Sequence, residues 1–135
     1  LTTNGCVPVI NGVGTPDSDA GSGFMINATS LEGLQSGILF YGLSSSGASW
    51  GGGSSSFLCV KSPLERMGVQ STFGTFGGCD GSMSIDWNAY YATNLGAVGH
   101  PYVTGLTCYA QAWFRDPPAP KTTSLSNGVS FVVCP

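Results

Sequence analysis

One cysteine of this chain lies in a segment that imitates a nucleophile elbow. Residues 77–81 are GGCDG, which has the form GxCxG with Cys79 at its centre. A thiol nucleophile needs a neighbouring base, and His100 is the single histidine. The elbow also needs a helix directly after it, whereas the strand-like segment SMSIDW follows here. We therefore interpret Cys79 as a structural disulfide cysteine and not as a nucleophile.

Two carboxylates are candidates for glycoside hydrolysis, which requires a pair of acids flanking the scissile bond. Asp86 and Asp116 lie close to aromatic residues along the chain, as acids in sugar sites often do. Nothing in their spacing marks them as partners. Because only 8% of the residues are charged, we expect these acids to pair with Arg66 and Arg115 instead.

A third candidate site is a short acidic loop. Residues 15–23 are TPDSDAGSG, in which Asp17 and Asp19 are followed by glycine in a D-x-D-x-G pattern. Closely spaced acids before a glycine can wrap calcium, but the distal glutamate of an EF-hand loop is missing. We interpret the segment as a solvated turn and expect no cofactor, with a calcium site as the alternative.

Aromatic residues give a stronger indication of binding than the acids do. Trp50, Tyr109 and Trp113 could stack on sugar rings or form a protein interface, although core packing is an alternative for each of them. Trp50 is expected to be the most exposed, because residues 44–56 (SSSGASWGGGSSS) form a low-complexity segment predicted to be a mobile loop.

The cysteines indicate the compartment. They are scattered without a CxxC motif, which disfavours a zinc site and predicts a disulfide framework, and therefore an extracellular or cell-surface location. We predict a bond between Cys59 and Cys79, which closes a short loop between successive strands, and a bond from Cys6 to Cys108 or Cys134. One of the five cysteines must then be free or bonded to another chain. The five are Cys6, Cys59, Cys79, Cys108 and Cys134.

Charge and length exclude several classes of partner. The chain has 135 residues, four Lys or Arg against seven Asp or Glu, and a net charge of −3. Without a basic patch, neither nucleic acid nor an anionic membrane surface is an expected partner. No apolar run is long enough to span a bilayer, so membrane insertion is not expected either. We expect residues 1–135 to form a single domain.

The elements that must position these residues are short strands. With 21 glycines and eight prolines, the chain leaves little room for helix. The pattern predicts an all-β, disulfide-bearing sandwich of jelly-roll type, with a short helix at residues 87–95. Six apolar runs are predicted to be strands: residues 24–28, 37–43, 57–60, 83–87, 106–114 and 129–133.

The run 106–114 is the clearest strand, because its two faces differ. Alternation places Leu106, Cys108, Ala110, Ala112 and Phe114 on one face, which we predict to be core. The opposite face is mixed polar and aromatic, and could be a binding face or a second buried layer. It consists of Thr107, Tyr109, Gln111 and Trp113.

Seven segments together resemble a family of uncharacterised exported bacterial domains of planctomycete type, often found as the carboxy-terminal module of surface proteins. WFRDP and LCVKSP are the most specific of them. The resemblance implies secretion and a β-rich disulfide domain, and no known activity. Relatives tend to carry a further cysteine shortly upstream of the position of Cys6, which would explain the odd count. The segments are GCVPVI, AGSGF, GILFYG, FLCVKSPLER, CDGSMSIDWNA, AQAWFRDP and TSLSNGVSFVVCP.

Three functions follow in order of support. The first is a non-catalytic extracellular structural or adhesive module, a subunit or repeat of a surface or filamentous assembly whose partners are other copies of itself or other extracellular proteins. The second is a carbohydrate-binding module that uses Trp50, Tyr109 or Trp113 for glycans. The third is a hydrolase that uses Asp86 and Asp116.

Overall fold

The computed structural model describes residues 1–52 and 55–135, and in this part of the chain the fold is a β-sandwich. Strands hold 52% of the residues and helix 5%, which confirms the all-β class and the scarcity of helix. The elements in chain order are β1 (Val9–Gly14), β2 (Phe24–Leu31), β3 (Ser36–Ser49), β4 (Phe57–Ser71), β5 (Gly81–Asp86), α1 (Trp87–Thr93), β6 (Thr107–Arg115), β7 (Thr123–Leu125) and β8 (Val129–Val132).

Two antiparallel sheets form the layers of the sandwich. The smaller sheet has the strand order β1-β2-β5, and the larger has the order β4-β3-β6-β7. Strand β8 also pairs with β6, so that β7 and β8 follow one another along the same edge of β6. The centre of the larger sheet is the pairing of β3 with β6, in which Gly37 lies opposite Phe114 and Gly42 opposite Tyr109.

The main core lies between the two sheets. The predicted inner face of β6 is confirmed, because four of its five residues are fully buried in this core and Leu106 is partly buried beside them. The four are Cys108, Ala110, Ala112 and Phe114. Strand β2 contributes Ile26 and Ala28 from the opposite sheet. Since inward and outward side chains alternate along each strand, this core also fixes which residues of β3 and β6 face outwards.

The helix is two residues shorter than predicted. Asp86 caps its first turn by accepting a hydrogen bond from the backbone N–H of Ala89, and Asn94 ends it by donating from its own N–H to Tyr90. Trp87 is fully buried and stacks on Tyr91 with ring centroids 4.7 Å apart. The helix therefore contributes two stacked aromatic rings to the main core. No helix in the described residues is long and apolar enough to cross a membrane.

Strands are longer than the apolar runs that predicted them. β3 continues to Ser49, and β4 runs from Phe57 to Ser71. The first six residues of the segment 44–56 are therefore not part of a mobile loop as we predicted, because they form the end of β3, which pairs with β4 in a hairpin. Residues 53 and 54 lie outside the described residues. Backbone pairing overrides the weak strand preference of serine and glycine in this segment.

The predicted disulfide pairing is wrong. The structure joins Cys6 to Cys79, and it leaves Cys59, Cys108 and Cys134 unpaired. After Cys59 the chain continues as strand for twelve residues to Ser71, roughly 40 Å of contour at the usual rise per residue, so the loop to Cys79 is not a short one. Three sulfurs are thus unpaired in this structure, where our pairing would have left one.

Cys108 belongs to the core and not to the disulfide framework. It is fully buried on β6, and desolvation by burial raises the pKa of its thiol to about 12. Such a thiol stays protonated and packs as a small apolar side chain.

We expect the double variant Cys6→Ala/Cys79→Ala to lower the free energy of unfolding by about 4 kcal/mol, because the bond closes a long loop that spans 73 residues. Urea unfolding measures this loss, and Cys134→Ser, which changes an exposed unpaired cysteine, is the control. Non-reducing peptide mapping that links Cys59 to Cys79 would contradict the observed pairing.

Candidate functional site

The outer face of the larger sheet, which points away from the smaller sheet, carries a second apolar cluster. Phe40, Val60 and Leu125 are buried in it, and Trp50 and Trp113 pack against them partly buried. Both faces of β3 and β6 are therefore apolar, one towards the main core and one outwards. The outer face of β6 is a second buried layer at Gln111 and a more open surface at Trp113.

Gln111 is the polar centre of this outer layer. It is completely buried, and its side-chain oxygen accepts a hydrogen bond of 3.0 Å from the backbone N–H of Cys59. Its side-chain nitrogen donates to the carbonyl oxygens of Phe57 at 2.8 Å and Ser126 at 2.5 Å. Gln111 thus ties the β3–β4 hairpin to the outer face of the sheet, where the side chain of Ser56 also accepts from the N–H of Leu125.

Trp50 is brought onto the sheet by this hairpin. Its indole N–H donates to the hydroxyl oxygen of Thr123 at 3.0 Å, and the Lys121 ammonium lies 4.2 Å from its ring centroid, a cation–π contact. We expected Trp50 to be the most exposed aromatic on a mobile loop, and that is wrong. It is partly buried and held by contacts to β7 and to the turn before it.

A groove of about 680 Å³ opens between the hairpin and the outer face, and we call it the outer groove. Trp50 and Trp113 both line it. The apolar residues that complete its lining are Ile38, Phe40, Leu58, Leu64, Val69 and Leu125. A concave, mainly apolar surface of this kind is where a folded domain usually binds a partner or ligand.

The outer groove also gathers most of the positive charge of the chain. Arg66, Arg115 and Lys121 line it, which is three of the four lysine and arginine residues of a chain with net charge −3. Among the described residues that line the groove there is no Asp or Glu. The two arginines do not pair with Asp86 and Asp116 as we predicted, because those carboxylates accept hydrogen bonds from other groups.

Tyr109 packs against the same outer cluster as the two tryptophans but does not line the outer groove. It lies on the outer face of β6, in a separate depression that it shares with Cys59 and Ser130. The structure therefore brings together two of the three predicted aromatic residues and leaves the third outside the groove.

Each predicted acid has a structural role in the fold. The buried carboxylate of Asp116 accepts hydrogen bonds from the backbone N–H of Thr3 at 2.9 Å and from the hydroxyl of Ser124 at 2.8 Å. Asp86 caps α1 and also accepts from the N–H of Gly23 at 2.9 Å. Burial opposes ionisation of Asp86, but these backbone hydrogen bonds outweigh it and lower the pKa of the carboxyl.

The GxCxG segment does not present a free thiol, because Cys79 is bonded to Cys6. His100 stacks on Tyr91, with ring centroids 3.8 Å apart, and its Nε2 lies 2.8 Å from the carbonyl oxygen of the same residue. The thiol and the base that the elbow would need are therefore both engaged in other contacts, Cys79 with Cys6 and His100 with Tyr91.

The acidic loop forms a local turn. The Asp17 carboxylate accepts hydrogen bonds from the backbone N–H groups of Asp19 at 2.8 Å and Ala20 at 3.3 Å. This is the pattern by which aspartate holds a turn in its own backbone. No group of three or more His, Cys, Asp or Glu able to hold a metal occurs among residues 1–52 and 55–135.

The sequence did not identify the cations as part of the site. Arg66 and Arg115 were assigned to ion pairs, and nothing in the sequence marked Lys121. The usable signal was the double apolar alternation of β3, where Ile38 and Phe40 face outwards while Leu39 and Tyr41 face inwards. A strand that is apolar on both faces needs a second covering layer.

We expect Gln111→Leu to release the hairpin from the outer face. Leucine fills similar space but leaves the N–H of Cys59 and the carbonyls of Phe57 and Ser126 without their partner. The cost is roughly 1–3 kcal/mol for each of these groups that water cannot reach. Urea unfolding and hydrogen exchange of residues 55–60 measure the effect. The control is Gln35→Leu, which changes a partly buried glutamine directly before β3. Unchanged exchange in the first variant would contradict the role of Gln111.

We expect Asp86→Ala to lower the free energy of unfolding by about 1 kcal/mol at pH 7, through loss of the helix cap. Because the pKa of Asp86 is lowered in the folded state, its contribution is present above the unfolded pKa and is lost as the pH falls through the folded pKa. Urea unfolding should therefore show a smaller difference between variant and wild type at pH 3 than at pH 7. Asp19→Ala, which changes an exposed acid, is the control; an equal loss at both pH values would count against the carboxylate as the cap.

Comparison of this chain with protein-family models, with curated proteins and with solved structures found no match. Function is therefore inferred from the residues of the outer groove and from the sequence resemblance alone.

Proposed function

We propose that this chain is a non-catalytic extracellular adhesive module, a subunit or repeat of a surface or filamentous assembly, that binds a protein partner in its outer groove. The observation that carries the proposal is the groove itself, where two tryptophans and three cations line one concave apolar surface without an opposing acid. Tryptophan and arginine are the residues that most often dominate the binding energy of protein interfaces.

The location outside the cell is supported by the disulfide between Cys6 and Cys79, since such bonds persist in oxidising compartments. The resemblance to exported surface domains supports the same location. A low charge content also suits a protein that packs beside its neighbours, because few charged groups have to be desolvated.

The absence of catalysis is supported by what the candidate groups do in the fold. Asp86 caps a helix, Asp116 holds the amino-terminal segment, Cys79 is in a disulfide and His100 is stacked on a tyrosine. Activity would require at least one acid, base or nucleophile free to reach a substrate.

Carbohydrate binding is the second candidate, and one observation favours it. Trp50 and Trp113 lie in the same groove, and aromatic faces on one surface can stack on successive sugar rings. Against it, the groove offers few side-chain hydroxyls and no carboxylate or amide among its described lining residues, and these are the groups that usually fix sugar hydroxyls.

Sedimentation of the full chain over a range of concentrations, together with retention on immobilised glycans, tests the proposal. We expect concentration-dependent oligomers or fibres that Trp113→Ala weakens at least tenfold, because that indole forms part of the groove surface. Tyr109→Ala is the matched control, since Tyr109 is an aromatic residue on the same face of the same strand outside the groove.

Each other outcome counts against part of the proposal. Retention on glycans without self-association would replace it by the second candidate. A monomer at every concentration without affinity for glycans would refute both. Turnover of a glycoside, ester or peptide that disappears in Asp86→Asn would refute the absence of catalysis.

A further inference from the structure

Three large apolar side chains stand exposed on two neighbouring loops at one end of the sandwich, and we call them the apolar tip. They are Leu34, 58% exposed, Phe73, 71% exposed, and Phe76, 77% exposed. The loops are in contact, because the N–H of Leu34 donates to the carbonyl oxygen of Phe73 at 2.6 Å and Gly33 forms a bridge with Phe76. The three side chains therefore belong to one surface.

The apolar tip is held in an unfavourable backbone conformation. Leu34 and Phe73 both have a φ of +53°, in the left-handed region that large side chains rarely adopt. Such positions are strained and persist where the surrounding structure imposes them, commonly at binding sites. An asparagine or glycine would fit either position with less strain.

Hydrogen bonds fix the two loops beside the disulfide. The Thr72 hydroxyl donates to the carbonyl oxygen of Glu32 at 2.7 Å and accepts from the N–H of Gln35 at 2.9 Å. Asp80 accepts from the N–H and the hydroxyl of Thr75 at 2.8 and 2.9 Å, and Cys79 is bonded to Cys6. A surface fixed in this way loses little conformational entropy when it binds.

The apolar tip and the outer groove are complementary in charge. The loops at residues 32–35 and 72–80 contain no lysine or arginine, and the exposed Asp80 gives them a negative charge. Hydrogen bonds from Thr75 lower the pKa of the Asp80 carboxyl, so that it is ionised at neutral pH. The outer groove is positively charged and, like the tip, apolar. Opposite charges on two surfaces speed their association.

We infer that the outer groove of one copy receives the apolar tip of the next copy, an interaction that rests on the proposed binding role of the groove. The tip and the groove share no lining residue, because Leu34, Phe73 and Phe76 all lie outside the lining of the groove. Two different surfaces meet in such a contact. Copies joined by it repeat head to tail, and an open chain forms where the rotation between copies does not close a ring.

Two variants that each disable one surface test this inference. The tip variant is Phe73→Asn/Phe76→Ser, in which asparagine suits the left-handed backbone at position 73. The groove variant is Arg66→Glu/Arg115→Glu, which reverses two exposed charges and leaves the apolar lining in place. The control is Leu95→Ser, an exposed leucine outside both surfaces, 75% exposed.

We expect wild type and the control to associate beyond dimers in sedimentation experiments. Each variant alone should be monomeric, with association weakened at least tenfold. An equimolar mixture of the two variants should form a complex of two chains and no larger species, because one intact groove and one intact tip remain in it. Circular dichroism and urea unfolding of each variant establish that it is folded.

The other outcomes separate this inference from the proposed function. If wild type assembles but the tip variant assembles equally well, or the mixture stays monomeric, the tip is not the occupant and the inference fails while the adhesive role of the groove stands. If wild type is monomeric at every concentration, the inference fails, and the proposed function fails with it.

Discussion

The outer groove depends on the side chain of Gln111. Without its three hydrogen bonds, the β3–β4 hairpin would lose its buried anchor on β6. The bonds of Ser56 with Leu125 and of Trp50 with Thr123 would then have to hold it on the outer face. A fully buried amide is costly unless every group it meets is satisfied. Here the carbonyl and amino groups of Gln111 reach backbone partners on the hairpin and next to β7. The same bonds that remove the cost of burial therefore also position the groove wall.

The larger sheet is consequently a layer with two apolar faces. Its inner face packs on the smaller sheet through residues such as Leu39 and Phe114, and its outer face is covered only in part by the hairpin. Complete coverage of the outer face would require a third sheet or a layer of helices, and the described residues form neither. The part left open is the groove, so the incomplete covering of the sheet and the availability of a binding surface are one feature.

The fold class and the inner face could be predicted from local patterns, and the site could not. The alternation in residues 106–114 gave both the strand and its buried side, because period and burial are local in a strand. The identity of the outer layer depends on which distant segment lies on it, and a Ser/Gly-rich hairpin carries little local signal for that. The strands of this hairpin form because their backbone groups pair with each other and because Gln111 anchors them. Neither interaction can be predicted from the composition of the hairpin.

The disulfide was mispredicted for a related reason. Proximity in sequence favoured Cys59 with Cys79, but the remaining twelve residues of β4 carry the chain away from Cys59. The cations were mispredicted because a chain with so few charged residues was expected to pair them with one another. In the fold, Asp86 and Asp116 bind backbone N–H groups and a hydroxyl, which leaves Arg66 and Arg115 to the groove.

Cys108 has a consequence for how this protein can be followed in solution. Its thiol is fully enclosed by the main core and protonated at neutral pH, whereas Cys134 is exposed. An alkylating reagent would label Cys134 in the native state but would reach Cys108 only when the sandwich opens. The rate of labelling at Cys108 then reports the opening of the core, and the rate at Cys134 reports the intrinsic reactivity of an accessible thiol in the same molecule. The ratio of the two labelling rates therefore measures how often the core opens, and Cys134 supplies the reference rate within the same molecule.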